Sequence, residues 1–384
     1  MATALGDVVV LDFSRVLAGP LATMLLADHG ATVVKVERPD GGDDTRGWAP
    51  PHGPDGTATY FLSVNRNKRS LVLDLRDPGD LAVARELAAG ADVVVENFRP
   101  GVMASLGLDH ATLSAANPRL ISCSITGFGR GAGAALPGYD LLVQAVGGLM
   151  GITGEPDAPQ KAGVALVDVI TGLFATTGIL AALRHRDRTG AGQLVEVELL
   201  TSLLAALVNQ ASAYTAGGVV PGRLGNAHPS IAPYELFRAG DGTQLVIGVG
   251  TDRQFRTLCE VLGAPELAAD PRFATNEARV GVRTALRGAL EERLAAAPAA
   301  EWAERLLAAR VPAGEVNDVA GAFALAERLG LDPIADTTGP DGTVTPLVRN
   351  PVRMTATPPR HESAPPALGE LSADEARRLV RRDR

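Results

Sequence analysis

Five short runs of aliphatic and β-branched residues, separated by stretches with helical spacing, restrict the first third of this chain to alternating strands and helices around a largely parallel sheet. The runs are residues 8–13, 32–37, 70–75, 92–96 and 120–125. Between the first two, Pro20 opens a stretch that ends near His29-Gly30. A proline in the first turn and a glycine just past the last punctuate a helix, so the segment is a strand-helix-strand unit. Its connecting loop, Ser14-Arg15-Val16-Leu17-Ala18-Gly19, lacks the G-x-G-x-x-G that brings a dinucleotide pyrophosphate onto a helix. Nicotinamide and flavin chemistry thereby lose most of their support.

After Tyr139 the pattern becomes helical, and residues 169–185 are apolar on most sides, which predicts a buried helix. Residues 188–192 turn the chain into another strand at 193–198. A Gly/Pro-rich stretch at 217–225 reads as a linker. Beyond it, a strand at 244–249 and helices at 253–262 and 282–309 predict a smaller α/β domain. The expected organisation is a large α/β domain over 1–216, a small one over 217–330, and a Pro/Thr/Gly-rich segment within 331–384 that returns to the large domain.

With 384 residues and 46% hydrophobic composition the chain has material for two cores. Apolar runs such as 199–208 are broken well short of the 18 to 20 residues that cross a bilayer, so no membrane partner is expected. The N-terminus lacks the basic and apolar regions of a secretory signal, which predicts a cytoplasmic protein. A net charge of −8 argues against nucleic-acid partners. Cys123 and Cys259 fall in apolar segments read as a strand and a helix, and two buried free thiols are expected. The six histidines show no metal-ligand spacing, so no metal site is proposed.

Several segments share a common order. They include Leu11-Asp12-Phe13-Ser14-Arg15-Val16-Leu17-Ala18-Gly19-Pro20, Val36-Glu37-Arg38-Pro39, Gly42-Asp43-Asp44-Thr45-Arg46 and Asn65-Arg66-Asn67-Lys68-Arg69-Ser70. Further along stand Val95-Glu96-Asn97-Phe98, Ser124-Ile125-Thr126-Gly127-Phe128-Gly129, Gly138-Tyr139-Asp140, residues 163–168 and Thr189-Gly190-Ala191-Gly192-Gln193. Together they resemble the family III CoA-transferases (CaiB/BaiF type), the group containing formyl-CoA:oxalate CoA-transferase and α-methylacyl-CoA racemase. Residues 227–234 and 248–255 resemble the branch containing succinyl-CoA:glutarate CoA-transferase. The resemblance implies a Rossmann-like large domain, a small domain and an interlocked homodimer. It also implies an acyl-CoA and a carboxylic acid, here a dicarboxylic one, as substrates, with no permanently bound cofactor.

Such transfer needs a carboxylate that attacks a thioester and carries the acyl group as a mixed anhydride. Asp168 matches the family nucleophile, at the end of Gly163-Val164-Ala165-Leu166-Val167-Asp168. Its local pattern alone reads first as a helix N-cap; the resemblance reverses that preference, and both roles can coexist. The resemblance further implies CoA contacts from Val16, Leu17, Arg38, Leu73, Arg76, Asn97, Phe98, Arg99 and Tyr139. Arginine suits the phosphates of CoA through its planar fork, and Arg38 follows a parallel strand, where ligands collect. Lys68 and Arg69 stay open between ligand contacts and pairing with nearby acids. Leu17 stands where formyl-CoA transferase has a glutamine, which steers the expected acids away from formate and oxalate. Ser105 stands where the family has an arginine.

Tyr139 replaces the histidine of Gly-His-Asp in racemases. A phenol with an ordinary pKa of about 10 is a poor proton shuttle near neutrality, so transfer is favoured over racemisation or epimerisation. As a residue it fits either a half-buried aromatic or a ligand contact. Gly248 and Gly250 match the region of a glycine-rich lid in the family, or form a plain strand-to-helix turn. His228 is either a contact to a distal carboxylate or structural. A CoA-ester-binding protein without catalysis is the remaining alternative, and Asp168 speaks against it.

Overall fold

A computed structural model describes residues 3–381. Strands in chain order are β1 Val9–Asp12, β2 Thr32–Glu37, β3 Lys68–Val72, β4 Val93–Glu96, β5 Ile121–Thr126, the hairpin β6 Gly154–Glu155 with β7 Ala158–Pro159, and β8 Leu194–Glu198. Six of them form one sheet in the order β3-β2-β1-β4-β5-β8. Every neighbouring pair in it is parallel. The order runs outward in both directions from β1 and β4, so the switch point at which a crevice opens lies past their carboxyl ends.

Aliphatic residues on both faces of the central strands explain why this sheet is buried. One face, with Val10, Val33, Val93, Val95 and Ile125, packs under the helices Ala18–Asp28 and Leu166–Thr189. The other, with Leu11, Val34, Val36 and Val94, packs under Pro78–Gly90. Each fully buried aliphatic side chain contributes about 1.5–3 kcal/mol.

The chain divides into two compact units. The larger comprises residues 1–149, 162–219 and 331–384; the smaller comprises 150–161 and 220–330. The hairpin of β6 and β7 thus belongs to the smaller unit, although it lies within the sequence of the larger. The smaller unit has its own sheet of β9 Tyr234–Arg238, β10 Gln244–Gly248 and β11 Ala313–Glu315. Its core gathers Phe237, Ile247, Phe255, Leu258 and Trp302. The long helix expected over 282–309 is two helices, Arg283–Leu294 and Ala299–Ala308, because Pro298 interrupts it.

Other boundaries also move. β3 spans Lys68–Val72 and stops short of residue 75, because Asp74 turns the chain by accepting the Arg76 N–H. Helix Leu166–Thr189 is long and apolar enough to cross a bilayer by length and composition. It is not buried all round: Val167, Ala175, Ile179 and Leu183 enter the core, while Leu173, Phe174 and Leu180 are exposed. Cys123, in β5, and Cys259, in helix Asp252–Val261, are both free and buried. Burial pushes the Cys123 thiol up to about 12 and that of Cys259 up to about 11.

The 331–384 stretch is tied to the rest of the larger unit by a buried carboxylate. Asp28 accepts from Arg66 Nε at 2.8 Å, Asn67 Nδ2 at 2.9 Å and Asn350 Nδ2 at 3.0 Å. Leu371 then bonds to Ser70, and helix Ala373–Val380 packs on Pro78–Gly90. Removing one partner of a buried ion pair leaves the other charge uncompensated. Asp28→Ala is therefore expected to lower unfolding free energy by about 3–5 kcal/mol in urea denaturation, with early proteolysis after residue 330.

Candidate active site

At the switch point a cleft of about 330 Å³ is lined by the loops after β1, β4 and β5, by Asp44 beyond β2, and by the heads of four helices. It brings together seven residues expected from the sequence: Val16, Leu17, Asn97, Phe98, Arg99, Tyr139 and Asp168. Asn97 stitches two of the loops. Its Oδ1 accepts the Arg15 N–H at 2.9 Å and its Nδ2 donates to the Arg15 carbonyl at 2.7 Å. Arg15 lies over the Phe98 ring, 5.2 Å from its centroid. Arg99 is exposed and has no ion-pair partner among the described residues.

Glycines allow the walls to meet. A Cβ on Gly127 would stand 2.4 Å from the Cα of Gly138, so the loop after β5 and the approach to Tyr139 touch backbone to backbone. A Cβ on Gly172 would stand 2.7 Å from the Ala18 carbonyl. Gly172 is one helical turn beyond Asp168 and on the same face. Its lack of a side chain therefore sets the head of the long helix against the opening turn of Ala18–Asp28.

Asp168 is the third residue of Leu166–Thr189 and not its cap; Ala165 holds the cap position without a side-chain bond. The orphan amides go to another segment. Asp140, first in helix Asp140–Val146, accepts from Val167 N at 2.8 Å and from Asp168 N at 3.3 Å. Its other oxygen accepts from Gln144 at 2.6 Å. With Asp140 supplying the cap, the Asp168 carboxylate is left for the cleft. A helix N-terminus favours the ionised carboxylate. Burial, and next the negative charge of Asp140, outweigh that and push Asp168 up to about 7.

The loop after β1 and the helix turn that follows it are anchored by buried ions. Lys35 pairs with Asp43 at 2.8 Å and Lys68 with Asp12 at 3.2 Å, all four side chains being fully buried. Burial pushes Lys68 down to about 8 against the pull of Asp12. Burial also works against ionisation of Asp12 and Asp43, but the lysines and hydroxyl donors prevail and hold both below the usual carboxylate range. Lys68 thus pairs internally, and Arg69 pairs with Glu370 at the surface.

The remaining expected contacts are placed differently. Arg38 is exposed and bound to Asp44, itself a cleft residue, at 2.6 Å. Leu73 is buried in the core, its N–H bonded to the Glu37 carbonyl. Arg76 is exposed and clamps Asp74. Tyr139 is 67% exposed, which corrects the half-buried reading. Gly248 ends β10 and Gly250 donates its N–H to Gln254 at the head of Asp252–Val261, both in the smaller unit. His228, in the same unit, accepts the Ser230 N–H at 3.1 Å and stacks edge-on with Tyr234.

Three contributors were not singled out from the sequence. Asp43 and Asp140 stood inside recognised motifs, but the contacts of Asp43 with Val16 and of Asp140 with Val167 and Asp168 span 27 or more residues. Tyr60 carries no motif at all. Burial and the charges of Asp168, Asp140 and Asp43 push its phenol up to about 12, and it stacks edge-on with Trp48.

Residues 5–372 match the family described as CoA-transferase family III. This chain belongs to CoA-transferase family III. It is 45% identical to a succinate–glutarate CoA-transferase of Agrobacterium fabrum, over 96% of this chain and 94% of that protein. It is 42% identical to an acetyl-CoA:oxalate CoA-transferase of Acetobacter aceti, over 95% and 92% respectively. A crystal structure of a CaiB/BaiF family protein from Brucella suis superposes with a TM-score of 0.87 at 43% identity, covering 99% of this chain and 100% of that one. The α/β fold with its six-stranded parallel sheet is the one expected from the motifs.

This family III CoA-transferase presents in its cleft the Asp168 carboxyl, pushed up to about 7 by burial and Asp140. Only an ionised carboxylate attacks a thioester, so with Asp168 in the attacking role proposed below, kcat/KM is expected to rise with pH to a plateau, with a midpoint near 7. Asp140→Asn keeps an oxygen for the helix amides and removes a like charge. Its midpoint should move to lower pH; an unmoved midpoint would dissociate Asp140 from the Asp168 carboxyl.

Proposed function

We propose that the enzyme transfers CoA from an acyl-CoA, succinyl-CoA or a similar donor, to a dicarboxylic acid through a mixed anhydride on Asp168. The observation that carries this reading is the Asp168 carboxylate itself, freed from capping by Asp140 and standing in the switch-point cleft.

Attack of the Asp168 oxygen on the thioester carbonyl breaks the C–S bond and releases CoA thiolate, leaving an acyl-aspartyl anhydride. The thiolate attacks the aspartyl carbonyl and frees the first acid, leaving an aspartyl thioester. The acceptor carboxylate displaces the thiolate to form the second anhydride, and thiolate attack on the new acyl carbonyl completes transfer. Every attacking and every leaving group in these steps is a carboxylate or a thiolate anion, so no external proton carrier is needed, and a tyrosine rather than a histidine at position 139 suits this chemistry. Arg99 is available to a phosphate of CoA, with Val16, Leu17, Asn97 and Phe98 lining the approach. Arg38, Leu73 and Arg76 stay in the proposed CoA set at its rim; Gly248, Gly250 and His228 stay as proposed lid and acid contacts. CoA is a substrate here and not a resident cofactor.

The dicarboxylate preference rests on residues 227–234 and 248–255 and on Leu17, supported by the succinate–glutarate relative. Two free thiols suit a reducing cytoplasm. The exposed Leu173, Phe174 and Leu180 of the long helix support a homodimer rather than a membrane span, since the opposite face of that helix is already in the core. Light scattering at micromolar concentration should give twice the chain mass; a monomer would overturn this assembly.

Incubation with succinyl-CoA and a panel of acids, read by mass spectrometry, should show new CoA esters with dicarboxylates and little with formate. Asp168→Ala should lose transfer by at least about a thousandfold while retaining CoA affinity. Substantial turnover in that variant would sink the anhydride.

A further inference from the structure

The motif Gly42-Asp43-Asp44-Thr45-Arg46 has no part in the acyl-transfer steps, yet its side chains converge on the loop that follows β1. Asp43 is 1% exposed. Its carboxylate accepts from the Thr45 N–H at 3.0 Å and hydroxyl at 2.8 Å, which caps a short 3-10 turn, Asp44–Gly47. A cap needs only that much. The same carboxylate also pairs with buried Lys35 at 2.8 Å and accepts the Val16 N–H at 3.3 Å from each oxygen.

Val16 is the point of strain. Its φ of 70° lies in the left-handed region, which a β-branched residue avoids and holds only where the surroundings enforce it. Two constraints meet there: Asp43 takes the Val16 N–H, and Lys35 Nζ donates to the carbonyl of Ser14 at 2.9 Å. Directly beyond, Leu17 and Ala18 line the cleft with Asp168, and Ala18 is the residue against which Gly172 seats the long helix. The phenol of Tyr60 lies within the electrostatic reach of both Asp168 and Asp43.

We propose that Asp43, pinned by Lys35, is a positioning residue for acyl transfer: it holds Val16 in left-handed geometry and so sets the opening turn of the Ala18–Asp28 helix against Asp168. This rests on the acyl-transfer reading of the cleft, but not on the anhydride. A misplacement of the order of 1 Å costs about a hundredfold in rate, whereas a purely structural tie would cost only folded protein.

The test uses the full-length enzyme with Lys35→Met and Asp43→Asn combined, which removes both charges and leaves neither buried alone. Turnover is expressed per CoA-binding site, counted by calorimetric titration with CoA, so that unfolded chains do not enter. The expected result is a kcat per site lowered about a hundredfold, with KM for the acyl-CoA changed less than about fivefold. A kcat per site within about threefold of the parent, with the loss confined to melting temperature, overturns the proposal. Asp43→Asn alone, read the same way, decides the matter should the double variant not fold. Asp168→Ala run in parallel separates the ideas: activity in that variant removes the anhydride and leaves the Asp43 result standing.

Discussion

Two buried lysine–aspartate pairs, Lys35 with Asp43 and Lys68 with Asp12, determine how the loops of this enzyme stand over its sheet. Asp12, Lys35 and Ser70 are register partners across β1, β2 and β3, so they project from the same sheet face as Val10 and Val33. That face is apolar in the middle of the strands and ionic at their carboxyl ends. Taking each ion out of water costs several kcal/mol, and apolar replacements are often no less stable. What the ions add is attachment. Lys35 bonds to the Ser14 carbonyl, Lys68 to that of Pro20, and Asp43 to the Val16 amide. Each is a point on the loop and first turn that close the cleft.

The proposed nucleophile, Asp168, depends on the same division of labour. A carboxylate in the first turn of a helix is ordinarily spent on orphan amides and held strongly acidic. Here Asp140 reaches across from another helix to take those amides. Asp168 is thereby released from capping, and it acquires a like-charged neighbour that adds to the effect of burial. A nucleophile wants ionisation at working pH together with weak hydration, and a carboxyl brought up to about 7 meets both demands.

Much of this was legible in the chain itself. Strands β1, β2, β4 and β5 follow from runs of Val and Ile, and Pro20 and Gly30 mark the first helix to within two residues. Seven of the residues suggested by the family motifs share one cleft. Asp43 and Asp140 were visible only as letters of motifs, because their meaning lies in partners that the sheet and the helices bring close. Lys35 and Lys68 look like ordinary strand residues until the fold sets Lys35 in register with Asp12 and lets the Lys68 side chain reach the same carboxylate. The β6–β7 hairpin could not be assigned to the smaller unit from its position, since no periodicity marks a chain that leaves one unit for a dozen residues and returns.

The long helix shows most clearly where periodicity stops being informative. Its residues are apolar all round, which reads as burial on every side, yet the folded chain covers only part of it. Asp168, Gly172, Ala175 and Ile179 follow each other at helical spacing on the side that meets the first helix and the sheet. Leu173 and Leu180, seven residues apart, lie on a different side and are exposed. Selection for apolar residues thus has two separate causes in one element. The inner stripe fixes Asp168 through Gly172, and the outer stripe calls for a cover such as the homodimer proposed above. Because the stripes point apart, a second copy on the outer one would leave the contact between Gly172 and Ala18, and with it the placement of Asp168, as the single chain already makes it.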